Sequence, residues 1–387
     1  MKRREFLNLG TLAAGAVLLP PRISLAHAGG GAARFVLVIL RGALDGLAAV
    51  PPCGDRDYAA LRGEFALRAS GDSAGALPLD GFFGLHPALR FLHECYAARE
   101  LIVLHALASP YRERSHFDGQ DVLENGSPKP HALATGWLNR ALAAAPGGEK
   151  RDAGVALGQN VPLVMRGPAA VTSWSPSRLA GPDEDTLARL TDLYSQDPLL
   201  SVRLAAALAA AALAAEDGVG SAMAGETRAG RYAEIVRAAG GFLRQERGPR
   251  VAVFDTTGWD THANEGGAAG QLAGRLATLD AALAVLKQEL GPAWRDTAVL
   301  LVTEFGRTAA INGTRGTDHG TATMAFLLGG AVAGGRVIAD WPGLGTRALY
   351  QGRDLAPTLD LRCVLKGLLE EHLGIPARSL ADSVFPG

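Results

Sequence analysis

Nine residues carry side chains suited to holding a divalent cation with an anionic ester beside it: Asp45, Ser115, His116, Asp260, His262, Glu304, Arg307, Asp318 and His319. They lie in five short polar segments. These are Arg41-Gly42-Ala43-Leu44-Asp45-Gly46, Arg114-Ser115-His116-Phe117-Asp118, Gly258-Trp259-Asp260-Thr261-His262, Thr303-Glu304-Phe305-Gly306-Arg307-Thr308 and Gly316-Thr317-Asp318-His319-Gly320. Carboxylate and imidazole are the donors that zinc, magnesium, manganese or calcium accept. A serine or a water beside such an ion can attack phosphorus or sulfur. Cysteine takes no part: Cys53, Cys95 and Cys363 are widely spaced and form no C-x-x-C, so neither a thiolate zinc site nor a cysteine nucleophile is indicated. One disulfide at most can form, leaving a thiol over. Cys95, in a helical pattern, reads as a small buried side chain.

Each segment also has a bland reading. Asp45 beside Gly46 suits an ordinary turn. Asp260 and Thr261 are good helix caps, as is Ser115, with Asp118 then falling in the first turn of its helix. Glu304 and Arg307 can pair as a salt bridge. Asp318-His319, in a glycine-rich loop, has the fewest structural explanations. His86, His93, His105, His131 and His372 sit in apolar or helical settings and read as core or surface histidines.

The elements that must position the polar segments are short apolar runs alternating with longer helical patterns. Runs 35–40, 101–105, 251–254, 297–302 and 324–328 predict strands, and 86–99 and 268–290 predict helices. Continuous apolar strands separated by helices indicate an α/β three-layer sandwich with a mostly parallel central sheet covered on both faces. Such sheets place ligand sites at the carboxyl ends of their strands, which is where the polar segments fall. The section 175–248 is helical, and Leu204 to Ala215 is only Ala and Leu. That run is too short to cross a bilayer, so a buried or packed helix is expected, within a helical insertion on a single α/β domain spanning 29–387.

Residues 1–28 read as an export signal: Lys2, Arg3 and Arg4, an apolar stretch from Leu9 to Leu19, and the small-x-small site Ala26-His27-Ala28. Arg3-Arg4-Glu5-Phe6-Leu7 resembles a twin-arginine address, which predicts a periplasmic or secreted protein with no membrane span after signal removal. The whole chain carries a formal charge of −1, and no basic run is present, so nucleic acid is excluded as a partner.

Taken together, the five segments and the signal resemble the bacterial domain-of-unknown-function family 1501 through nearly the whole mature chain. That family is similar in turn to the alkaline phosphatase and sulfatase superfamily. The resemblance implies an alkaline-phosphatase-like fold and a divalent metal (Zn, Mn or Ca, one or two ions). Asp45, Asp260, His262, Glu304, Asp318 and His319 would be ligands, Ser115 the nucleophile, and Arg307 the holder of a substrate oxygen. His116 would act as ligand or general base. Phe305 stands where the superfamily has an imidazole, which implies one well-held ion and a second held poorly. The function implied is an exported metal-dependent hydrolase of phosphate or sulfate esters, acting on a small anionic ester. The alternative is a degenerate periplasmic binding or assembly protein on the same fold, with a protein partner. A redox protein is disfavoured, since no Gly-rich dinucleotide loop, haem motif or cysteine cluster is present.

Overall fold

A computed structural model describes residues 33–68, 74–146, 153–176, 184–216, 228–246 and 248–386. The export signal at 1–28 lies outside the described residues. The apolar run at 35–40 forms β1 (Arg34–Arg41), which is buried along almost its whole length. The other expected strands are β2 (Leu101–Ala108), β5 (Val251–Thr257), β6 (Thr297–Val302) and β7 (Thr323–Leu328). Two short strands without a strong apolar run, β3 (Gly154–Leu157) and β4 (Val171–Trp174), extend one edge. Two others, β8 (Arg336–Ile338) and β9 (Leu359–Asp360), both pair with β2. The sheet order is β8-β2-β7-β6-β1-β5-β3-β4, and β7 alone runs antiparallel to its neighbours.

The result is a mixed, mostly parallel sheet flanked by helices, as the sequence predicts. Side chains alternate across β1 with the period of two that a strand imposes. Val36, Val38 and Leu40 pack into one core with Leu92 and Cys95 of α2 (Arg90–Ala97), Val236 and Phe242 of α7 (Arg228–Arg244), and Leu276 and Leu283 of α8 (Gln271–Leu290). Phe35, Leu37 and Ile39 pack into the other. There they meet Trp137 and Leu138 of α4 (Trp137–Ala144) and Val364 and Leu368 of α9 (Leu361–Leu373). All three cysteines are free thiols, and Cys95 is buried.

The stretch read as a helical insertion contains α5 (Glu184–Tyr194), α6 (Pro198–Glu216) and α7. The Ala/Leu run does form a helix, as alanine propensity dictates. Its described side chains, 204–209, are half-buried or exposed, with Leu208 at 36%, so the run packs against β4 and α7 without being a buried helix. No helix among the described residues is long and apolar enough to cross a membrane.

The reversed strand sets the geometry of the polar rim. The carboxyl ends of β1, β2, β5 and β6 lie on one rim, and β7, running the other way, begins there. Residues 303–322 therefore leave the rim at the end of β6 and return to it at the start of β7. Backbone bonds lace this excursion together: Gly306 N–H donates to Thr321 O (3.0 Å), Gly320 N–H to Gly306 O (2.8 Å) and Thr308 N–H to Asp318 O (2.9 Å). Gly306 faces the Ala322 carbonyl so closely that a Cβ there would overlap it. We predict that Gly306→Ala lowers stability by about 2 kcal/mol through overpacking, measured by urea denaturation.

Candidate metal centre

The helix that follows β2 is α3 (His116–Asn125), and Ser115 sits at its N-cap position in an extended conformation without a side-chain cap bond. Just before it, Arg114 adopts a left-handed φ of 62°. That turn is fastened by Arg114 Nε donating to Asp354 Oδ2 at 2.9 Å, and it presents the Arg114 carbonyl to His319 Nδ1, also at 2.9 Å. A carbonyl only accepts, so the His319 proton resides on Nδ1. The Nε2 lone pair then faces Asp260 Oδ1 at 3.2 Å and His262 Nε2 at 3.0 Å.

His116 is oriented in the same manner. Its Nδ1 lies 2.8 Å from Glu304 Oε1. Its Nε2 points toward Asp260 Oδ2 at 3.3 Å, buried and without a hydrogen-bond partner among the described residues. His262 places Nδ1 3.2 Å from Asp318 Oδ1 and Nε2 3.0 Å from Asp260 Oδ1. One ligand atom each from His116, Asp260 and His319 lies within 4.8 Å of the others. The three imidazoles each have one nitrogen tied to an outer acceptor and turn the other toward a single carboxylate, the arrangement that fixes ligand tautomers around metals. Lone pairs facing one another across such distances repel unless a proton or a cation lies between them, so this donor set fits a divalent ion.

Charges around the cluster are tuned by neighbours. The Glu304 hydrogen bond raises His116 above the ordinary imidazole value, with burial opposing it and Asp260 adding to it. Burial lowers His319. For Asp260, burial acts upward, but the Arg307 guanidinium outweighs it and holds the carboxyl below its usual range. Glu304 is likewise held down against burial, chiefly by His116 and Gln120. Phe305 stacks on the His116 ring at 5.0 Å and meets the His319 ring at 5.3 Å, an apolar wall for the two imidazoles.

The remaining expected residues take other places. Glu304 stands behind His116: its Oε1 also accepts from Gly42 N–H (2.8 Å) and Gln120 Nε2 (3.0 Å). Asp318 stands behind His262 and accepts from Asn312 Nδ2 at 3.0 Å. Arg307 is fully buried and donates to Asp260, the Thr317 hydroxyl and the Thr317 carbonyl. Its place is that of a clamp on Asp260. Ser115 N–H donates to the Tyr111 hydroxyl at 3.1 Å, and among the described residues no bond joins the Ser115 side chain to a histidine.

Asp45 lies apart from the cluster. It caps the short helix α1 (Gly46–Ala49) through Leu47 and Ala48 N–H, and both of its oxygens lie 2.5 Å from Arg62 Nη2. Arg62 and Glu265, which sequence reasoning missed, complete this second buried group. Glu265 Oε2 accepts from Thr261 (2.8 Å) and Thr317 (2.7 Å), the neighbours of His262 and Asp318. Two carboxylates facing one guanidinium cannot both ionise freely. Burial, with Asp45 nearby, pushes the Glu265 carboxyl up to about 8. The only sequence signal for the pair was that Arg62 and Glu265 are charged residues inside otherwise foldable segments.

The chain belongs to the DUF1501 family, described as protein of unknown function, whose model matches residues 104–384. No curated protein matches it. Solved structures similar to it include Ps i-CgsB in complex with k-i-k-neocarrahexaose, at 9% identity over 79% of this chain and 68% of that one, with a TM-score of 0.42. Another is a protein of the alkaline phosphatase superfamily from Vibrio parahaemolyticus, at 12% identity over 88% and 72% of the two chains, TM-score 0.41. A third is the phosphonate monoester hydrolase of Agrobacterium radiobacter, at 11% identity over 79% and 70%, TM-score 0.36.

Two outcomes are expected. Glu304→Gln, which keeps the shape but loses the charge behind His116, weakens metal affinity by about 10–100-fold in chelator competition. Glu265 binds a proton in the folded chain up to about pH 8, while its ordinary value is 4.5, so its contribution makes stability fall as pH rises between those values. Urea denaturation at pH 5 and pH 8 should show a smaller decline in Glu265→Gln than in the parent.

Proposed function

We propose that this protein is a metal-dependent hydrolase of phosphate or sulfate esters, exported by the twin-arginine route to the periplasm or beyond. The observation that carries the reading is the buried Nε2 of His116, unpartnered among the described residues and facing Asp260 and His319. His116, His262, His319 and Asp260 would hold the ion, and this nitrogen-rich set favours zinc or manganese over calcium, which prefers six to eight oxygens. A bound dication would neutralise charge developing on the transferred group and lower the pKa of a nucleophile beside it.

The chain's own residues supply the rest. Ser115, directly before His116, is the nucleophile of this reading. Its Oγ bonds to phosphorus or sulfur as the bond to the alcohol oxygen breaks, and the serine proton ends on the departing alcohol. Water then cleaves the new ester, restoring the serine hydroxyl and releasing the inorganic anion. Start-of-helix amides at His116 and beyond attract the anion, and Arg307 keeps Asp260 ionised and aimed.

A second reading, binding or assembly without turnover, is favoured by the exposed Leu193, Leu199 and Val202 on α5 and α6. Elemental analysis of protein purified without chelators or a histidine tag comes first. We expect one or more equivalents of zinc or manganese, lost in His319→Ala. Ser115→Ala should then keep its metal and lose phosphate- or sulfate-ester turnover by about a hundredfold or more. Full activity in that variant sinks the serine mechanism, and a metal-free folded protein sinks the hydrolase.

A further inference from the structure

Two arginines outside the metal cluster touch His319. Arg114 presents its carbonyl to the ring, and Arg353, in the loop between β8 and β9, donates from Nη2 to the His319 carbonyl. Both guanidiniums rest on one carboxylate. Asp354 is fully buried and receives Arg114 Nη2 at 2.8 Å, Arg353 Nε at 2.8 Å and the Thr321 hydroxyl at 2.7 Å. One carboxylate neutralises one guanidinium, and no other ion pair joins either arginine among the described residues. The trio therefore carries one surplus positive charge.

That charge is open to solvent and held still. Arg307 has no exposed side-chain surface, whereas 46% of the Arg353 side chain and 20% of the Arg114 side chain are exposed. Asp354 and the His319 carbonyl occupy Nε and Nη2 of Arg353, and Nη1 has no partner among the described residues. A guanidinium fixed at two of its nitrogens has already lost the rotamer freedom that binding would otherwise cost. Its remaining N–H groups suit the oxygens of a carboxylate, sulfate or phosphate. His319 turns Nε2 toward Asp260, while Arg353 stands at the backbone of the same residue. A molecule held at the cluster would thus meet Arg353 with a different part of itself. We propose that Arg353, with the charge of Arg114 beside it, binds a second anionic group of the substrate, separate from the ester at the cluster. Resting on the hydrolase reading, this makes the preferred substrate multiply charged.

The test compares phosphonates, which are not esters and are not turned over. The probes 3-phosphonopropionate and 4-phosphonobutyrate end in a carboxylate, and butylphosphonate and pentylphosphonate are their uncharged-tail counterparts. In calorimetric titration of the zinc-loaded protein, we expect at least one carboxylate probe to bind about tenfold tighter than its counterpart, the worth of one charge-assisted contact. Arg353→Gln should remove that difference. A second measurement needs no variant: the preferred carboxylate probe should protect Arg353 from phenylglyoxal, read by peptide mass spectrometry, and pentylphosphonate should not. Equal affinities in the parent overturn the assignment, as does no binding by any probe or no protection of Arg353. So does a preference undiminished in Arg353→Gln, which puts the carboxylate on the ion instead. Hydrolysis of p-nitrophenyl phosphate and p-nitrophenyl sulfate is assayed separately. A carboxylate preference without turnover overturns the hydrolase and leaves Arg353 standing as an anion site.

Discussion

Much of this site depends on one buried cation. Arg307 is removed from water on all sides, and a charge in that position is tolerated only when it is paired and hydrogen-bonded. The partners that meet it come from two other stretches of chain: the Asp260 carboxylate after β5, and the Thr317 hydroxyl and carbonyl just before His319. One guanidinium therefore determines where two loops stand relative to the end of β6. Because it holds Asp260 ionised, the carboxylate keeps its negative charge beside three imidazoles whose inward nitrogens would otherwise have nothing to face.

Around that carboxylate, the histidines are steered from outside. Each outer partner is of a different kind: a buried glutamate for His116, an exposed aspartate for His262, a backbone carbonyl for His319. The carbonyl is costly to place, since it requires Arg114 in a left-handed conformation that a branched or bulky residue rarely adopts. The bonds from Arg114 to Asp354 and Gln351 hold that conformation in place. Residues with no direct approach to the cluster thus decide which face of each ring it sees.

The sheet was legible because its central strands are unbroken apolar runs, buried on both faces. The edge strands β3 and β4 were not, being four residues each with no such run. The antiparallel sense of β7 was equally hidden, since a fully buried strand reads the same in either direction. At the site, residue types and strand-end positions pointed to Asp260, His262 and His319. They did not separate the residues that face Asp260 from the groups behind them, because Glu304 and Asp318 carry the same carboxylate and differ only in which atoms they face. Asp45 misled for a related reason: a carboxylate after the first strand looks the same whether it meets a metal or an arginine, and Arg62 lies on a separate helix whose approach no local pattern encodes.

The reversed strand has a consequence for how this region can change over time. Residues 303–322 begin and end in neighbouring strands of one sheet, so both feet of the excursion stand on the same rigid floor. Glu304 and Arg307 occupy one foot, Asp318 and His319 the other, and cross-bonds at Gly306–Gly320 and Thr308–Asp318 join them below the crown. The crown itself, 309–316, is tied to what lies beneath it: Asn312 Nδ2 donates to the His262 carbonyl and to Asp318 Oδ1, both at 3.0 Å, and the Thr314 hydroxyl donates to the same carbonyl at 2.7 Å. It works as the keystone of an arch, and a change in its sequence is felt at once by the two loops that carry His262 and Asp318.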